Sequence, residues 1–134
     1  MKRFSIEHIG ITTSDPVAAA AWYRDVLGFE VLHLSEGTRT TNAFLRAANG
    51  TVLELWEQTG LSAVSDRLTD PLELHLALKS DHPADDAAYL MAHGATPFAD
   101  PPVTPGGDKT IALRDPWGNC IQLARRGAGS FFRE

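Results

Sequence analysis

The chain has 134 residues, of which 43% are hydrophobic and 22% charged, with a formal net charge of -5 at neutral pH. That length suits one domain rather than two independent cores and can bury enough apolar surface to fold without staples. The acids are scattered and no basic run occurs, which argues against a nucleic-acid partner; no apolar run approaches the roughly 20 residues needed to span a membrane.

Met1-Lys2-Arg3 leads straight into strand-like sequence without the apolar segment of a secretory signal, so the expectation is a soluble, cytoplasmic protein. Ile6 to Thr12 alternates and predicts a first strand. Asp15 caps a helix with Pro16 at its first position. Ala19, Trp22, Tyr23, Val26 and Leu27 recur at helical spacing toward a sheet, and Gly28 stands where a left-handed C-terminal residue is wanted. Phe29 to Leu34 and Thr40 to Ala47 predict two more strands. Asn49-Gly50 reads as a tight turn rather than a used glycosylation sequon, and it leads into a fourth strand, Thr51 to Glu57.

Gly60 to Asp70 predicts a linker with room for a short helix. Leu72 to Lys79 predicts a strand. Pro83 opens a second helix with Ala87, Leu90 and Met91 on its apolar face, and Gly94 closes it. Ala95 to Phe98 reads as a short strand, and Ala99 to Lys109, rich in Pro and Gly, as a surface loop. Thr110 to Arg114 and Cys120 to Arg125 form a hairpin about Asp115-Pro116-Trp117-Gly118-Asn119. Cys120 is the only cysteine, so no internal disulfide forms.

The second half repeats the first. His8 and His75 lie 67 residues apart, as do Pro16 and Pro83; Gly28 and Gly94 lie 66 apart, Gly50 and Gly118 68 apart. One offset kept from end to end marks a duplicated unit. The expected fold is α+β: two tandem β-α-β-β-β modules (about 1–59 and about 71–127) in one domain over 1–134, their mixed sheet curved into a cup with the helices outside.

Strand side chains alternate between faces. Ile9, Ile11, Leu53 and Leu55 suit the helix side of the first module. Leu74, Leu76, Leu78, Ile121 and Leu123 suit that of the second. The opposite face then carries His8 and Glu54 in one module and His75 and Gln122 in the other, at equivalent places of the repeat. Two imidazoles, a carboxylate and an amide oxygen suit a divalent first-row ion: zinc, nickel, cobalt, manganese or iron. His33, His82 and His93 stand in no such relation and read as surface residues.

Glu7-His8-Ile9-Gly10-Ile11, Asp15-Pro16 and Trp22-Tyr23-Arg24-Asp25-Val26-Leu27-Gly28-Phe29 resemble the opening of the vicinal oxygen chelate superfamily. That group includes glyoxalase I, methylmalonyl-CoA epimerase, fosfomycin- and bleomycin-resistance proteins and extradiol dioxygenases. Asp115-Pro116-Trp117-Gly118-Asn119 with Ile121-Gln122-Leu123 resembles its closing signature. The resemblance implies paired modules, a homodimer, and metal positions at His8, Glu54, His75 and Gln122. Glyoxalase I and the epimerase carry a glutamate at the fourth position, where it also acts as base; Gln122 cannot take a proton.

The leading expectation is therefore a metal-dependent lyase or isomerase that stabilises an enediolate of a small substrate with vicinal oxygens, with Glu54 as the remaining base. A second is a binding or resistance protein without catalysis, in which Phe44 and Trp56 wall the ligand and Arg46 and Arg114 meet an anionic group. A non-haem iron dioxygenase built on His8, His75 and Glu54 ranks below these, because the family's extradiol enzymes place the carboxylate in the last strand. A fosfomycin-type transferase ranks lower again. The loop from Pro101 to Gly107 reads either as a lid over the ligand or as a plain connection.

Overall fold

The computed structural model describes residues 1–98 and 107–132. The chain divides into two compact units, Met1–Arg67 and Leu68–Glu134. Each contains one four-stranded mixed sheet and one helix.

The first unit runs β1 (Ile9–Thr12), α1 (Pro16–Leu27), β2 (Glu30–Glu36), β3 (Thr40–Arg46) and β4 (Val52–Gln58), with sheet order β1-β4-β3-β2. β1 lies parallel to β4 and the other pairs are antiparallel. The start of α1 is fixed locally. The Asp15 carboxylate accepts from the Ala18 N–H at 2.9 Å and Pro16 follows it, satisfying one of the donors a helix leaves orphaned. Its end is set by Gly28, at φ 73°, with the Phe29 N–H returning to the Tyr23 carbonyl; a side chain there would be strained. Ala19, Ala20 and Tyr23 are buried against Ala43, Leu45, Leu53 and Leu55, whereas Trp22, Val26 and Leu27 are only half-buried. At the Asn49-Gly50 turn the Thr51 N–H donates to the Asn49 side chain, and Gly50 takes φ 91°.

The second unit repeats the plan: β5 (His75–Lys79), α2 (Pro83–Ala92), β6 (Thr96–Pro97), β7 (Lys109–Arg114) and β8 (Cys120–Arg125), in the order β5-β8-β7-β6. Its strand begins three residues later than the alternation from Leu72 suggests, because Pro71–Glu73 forms a 3₁₀ turn. Asp70 caps that turn at the Leu72 N–H, and Glu73 closes back onto the Asp70 N–H. The Asp-Pro-x-Glu spacing is a capping box that outweighs the strand propensity of the leucines. The first strand likewise starts at Ile9 rather than Ile6. The predicted short helix in the linker appears as a 3₁₀ turn at Val64–Asp66. Met91 is 41% exposed instead of lying on the packed face of α2. Most of the loop predicted over Ala99 to Lys109 lies outside the described residues.

The β7–β8 turn is organised by buried Asp115, which accepts from the Trp117 and Asn119 N–H groups at 2.9 Å each and from the Asn119 amide at 3.0 Å. A second buried carboxylate, Asp108, ties the segment after β8 to β7. It accepts from the Gly127 N–H at 2.7 Å, from Arg126 at 3.0 Å and from the Ser130 hydroxyl at 3.1 Å. The Gly127 N–H, against the opposing effect of burial and with help from Arg126 and Ser130, holds this carboxyl below the usual range. A carboxylate whose pKa is lowered by folding contributes stability that is complete above its unfolded pKa of about 3.9 and is lost as pH falls through the folded value. Asp108→Asn is expected to melt earlier than the parent at neutral pH, with the gap closing as pH drops below about 4. Melting curves across pH check this, and a gap that persists undiminished in acid would contradict it.

Candidate functional site

In the first module the strand register sets the open face. Gly10 pairs with Glu54 and Glu54 with Phe44; one step along, Thr12 pairs with Trp56 and Trp56 with Asn42. Because Leu53, Leu55, Ala43 and Leu45 are buried on the α1 side, alternation puts Glu54, Trp56, Asn42 and Phe44 on the other. One oxygen of Glu54 accepts from the Asn42 amide at 3.1 Å. The other has no hydrogen-bond partner among the described residues and lies over Gly10. A Cβ at Gly10 would come within 3.5 Å of this oxygen and 3.4 Å of the Trp56 indole nitrogen. Glycine is what leaves the carboxylate and indole this space above β1.

His8 precedes β1 on the same face. Its ring stands edge-on to Phe44 at 5.3 Å between centroids, and its Nδ1 bonds the Glu7 carboxylate. The His33 ring lies 6.5 Å from Phe44. The Glu7 carboxylate can only accept, so Nδ1 carries a proton and Nε2 is the ring atom left for a metal, the arrangement expected of an oriented metal-binding histidine.

The second module shows the same device. His75 donates from Nδ1 to the Leu72 carbonyl at 2.8 Å, leaving Nε2 with the lone pair in the neutral ring. Gln122 pairs with Ala77 on one side and Ala112 on the other. Its amide is half-buried and has no hydrogen-bond partner among the described residues. Small alanines therefore flank Gln122 where Gly10 and Phe44 flank Glu54. Cys120 and Ala124, which share the strand parity of Gln122, are both buried. Burial, with the nearby Asp70 and Asp115 carboxylates and against Arg114, pushes the Cys120 thiol up, so it packs rather than reacts.

The two arginines expected at a ligand are engaged within their own modules. Arg46 forms a cross-strand ion pair with Glu30 at 2.7 Å, at the β2–β3 edge. The Arg114 guanidinium lies 5.1 Å over the Phe98 ring. Asn42 and His33 join the Glu54 face without having been singled out from sequence. Asn42 shares the strand parity of Phe44 and was open to detection on that ground.

Among the described residues no three His, Cys, Asp or Glu side chains stand together as a metal-holding group. Each module instead carries one pair of candidate donors, His8 with Glu54 and His75 with Gln122. Their chemistry fits a divalent ion: both imidazoles are oriented through Nδ1, and Glu54 keeps one oxygen unclaimed.

A family model described as a glyoxalase-like domain matches residues 8–124. No curated protein sequence matches the chain. Among solved structures, the glyoxalase family protein of Enterococcus faecalis is 28% identical, with 90% of this chain and 97% of that one covered and a TM-score of 0.72. A glyoxylase/bleomycin resistance protein/dioxygenase domain from Frankia sp. EAN1pec is 21% identical, with 96% of each chain covered and a TM-score of 0.73. The fosfomycin resistance protein of Listeria monocytogenes, in complex with Mn(II) and sulfate, is 17% identical, with 97% and 94% covered and a TM-score of 0.70. The last two likenesses establish a shared fold. Among the described residues, no helix is long and apolar enough to cross a membrane.

Proposed function

The chain belongs to the glyoxalase-like domain family, and from that premise we propose that it is a divalent-metal-dependent lyase or isomerase acting on a small substrate with vicinal oxygens. The observation that carries this reading is the divided carboxylate of Glu54. Asn42 fixes one oxygen, and the other has no hydrogen-bond partner among the described residues and lies, with the Trp56 indole, over Gly10. A base must be held in place and still have a lone pair to offer, and Glu54 meets both needs. Gln122 cannot take a proton, so it serves only as a neutral oxygen donor.

The candidate ligands in this proposal are His8 and Glu54 in the first module and His75 and Gln122 in the second; a bound ion would supply Lewis acidity to two adjacent substrate oxygens. The Mn(II) bound by the Listeria protein supports a divalent ion here. Phe44 and Trp56 give the substrate an apolar wall, and the Trp56 indole N–H adds a donor beside the carboxylate. Glu54 would withdraw a proton from the hydroxyl-bearing carbon next to the carbonyl and return it to the former carbonyl carbon, while the hydroxyl proton passes to the former carbonyl oxygen. The protein acts in the cytoplasm as a homodimer.

The test is proton exchange in heavy water. Metal-loaded protein is incubated with α-ketoaldehyde–thiol adducts and with small α-hydroxyketones, and loss of the substrate C–H signal is followed by NMR. Exchange that a chelator stops is expected, and its absence with every substrate would overturn the proposal. The aromatic setting of Phe44, between reach of His8 and His33, favours a second reading, a binding protein. Saturable binding of an aromatic ligand without exchange would select it.

A further inference from the structure

The first module has a cleft of about 360 Å³ that shares no lining residue with the Glu54 face. Thr13 and Ser14 at the end of β1, Arg39 in the β2–β3 turn, Thr41 on β3, and Glu57 and Thr59 at the end of β4 line it. Thr41 has the strand parity of Ala43 and Leu45, and Glu57 that of Leu53 and Leu55, so this cleft opens on the α1 side of the sheet. Its volume falls within the range of small-ligand pockets, roughly 300–1,000 Å³.

The lining carries polar groups left unsatisfied. Thr13 is 1% exposed and its hydroxyl oxygen is buried without a hydrogen-bond partner among the described residues. The Arg39 guanidinium has no carboxylate or carbonyl partner among the described residues, and Glu57 likewise has no cation. These opposite charges share one cleft and yet do not pair with each other. The loop that carries Arg39 is fixed, with Thr59 N–H donating to the Arg39 carbonyl at 2.9 Å and Gly37 N–H to the Thr40 carbonyl at 3.0 Å.

The duplicated module provides an internal contrast. A cleft of about 570 Å³ occupies the equivalent place at the ends of β5 and β8. There Ser80, the counterpart of Thr13, donates its hydroxyl to Asp86. Arg126, the counterpart of Gln58, is taken up by Asp108 and stacks 3.9 Å over Phe132. The second module satisfies the counterparts of Thr13 and Gln58 internally, while Arg125, the counterpart of Glu57, has like Glu57 no charge partner among the described residues.

We infer that the first-module cleft binds a small zwitterion of amino-acid or dipeptide size, its carboxylate on Arg39 and its ammonium on Glu57. A guanidinium grips a carboxylate through paired donors, and a carboxylate accepts from an ammonium; both bonds are charge-assisted. Neither charge alone satisfies the cleft, so the site discriminates against simple anions and simple amines.

Isothermal titration of the full-length protein with L-serine and with glycyl-L-serine tests this, with acetate and ethanolamine as single-charge counterparts. Saturable binding of at least one zwitterion is expected, with each single-charge compound weaker by about tenfold or more. Arg39→Gln and Glu57→Gln are each expected to weaken binding by about tenfold or more. Both positions lie away from the packed core, and circular dichroism confirms that the variants fold. Glu54→Gln, on the other face, is expected to bind as the parent does. If neither zwitterion saturates, if acetate or ethanolamine binds equally well, or if both charge variants keep parental affinity, the inference is overturned.

Discussion

The His8→Ala, His75→Ala double variant is expected to purify without the divalent metal that the parent retains near stoichiometry. Each imidazole is oriented through Nδ1, His8 by the Glu7 carboxylate and His75 by the Leu72 carbonyl. That fixes the tautomer and offers Nε2 outward, so the cost of ordering the ligand is met before an ion arrives. Removing both leaves one carboxylate and one neutral amide, a donor set that suits hard ions held with much water rather than tight first-row binding. Neither histidine is part of the buried core, so the variant should melt within about 1 kcal/mol of the parent in stability. Elemental mass spectrometry on untagged protein decides the matter. Parental metal content in the double variant would end the assignment of these ligands. Glu7→Gln, which keeps the ligand but loosens its orientation, should weaken affinity by about 10–100-fold.

Glu54→Gln is expected to slow substrate proton exchange by about 10²–10⁴-fold, the usual range for a positioned general base. Glutamine keeps an oxygen that can accept from Asn42, so the local packing on β4 survives while the proton acceptor is lost. Asn42→Ala should have a smaller effect in the same direction, because it frees the carboxylate to rotate without removing it. Rates must be compared at equal metal occupancy, since Glu54 is also a proposed ligand. If Glu54→Gln exchanges at the parental rate when fully loaded, the base lies elsewhere. Gln122→Glu supplies the family's usual carboxylate at the fourth position, and a gain of glyoxalase-type exchange would support the isomerase reading.

Much of the fold was legible because its determinants are near neighbours in sequence. Asp15-Pro16 and Gly28 bound α1 through groups within a few residues of one another. Asn49-Gly50 and Asp115 to Asn119 turn the chain by side chains bonding to backbone two to four residues away. The constant offset of about 67 residues between the halves exposed the duplication, and strand alternation placed Glu54 opposite the leucines that pack on α1. Asp70-Pro71-Leu72-Glu73 is a capping box, and it forms a 3₁₀ turn where leucine alternation suggested strand.

Sequence alone therefore determined the two modules, their element order and the family. Tertiary structure decided who meets whom. Only strand register brings Asn42 to Glu54 and sets both Glu54 and Trp56 above Gly10. Only the β2–β3 pairing gives Arg46 to Glu30. Burial of Cys120 and exposure of Met91 likewise depend on what packs over each position rather than on its spacing. The α1-side cleft gathers residues from four separate stretches of the first module. Periodicity and capping are governed by atoms a few bonds apart, so they can be read along the chain. Register, charge pairing and clefts arise from contacts between distant segments, and they exist only once the strands have been brought side by side.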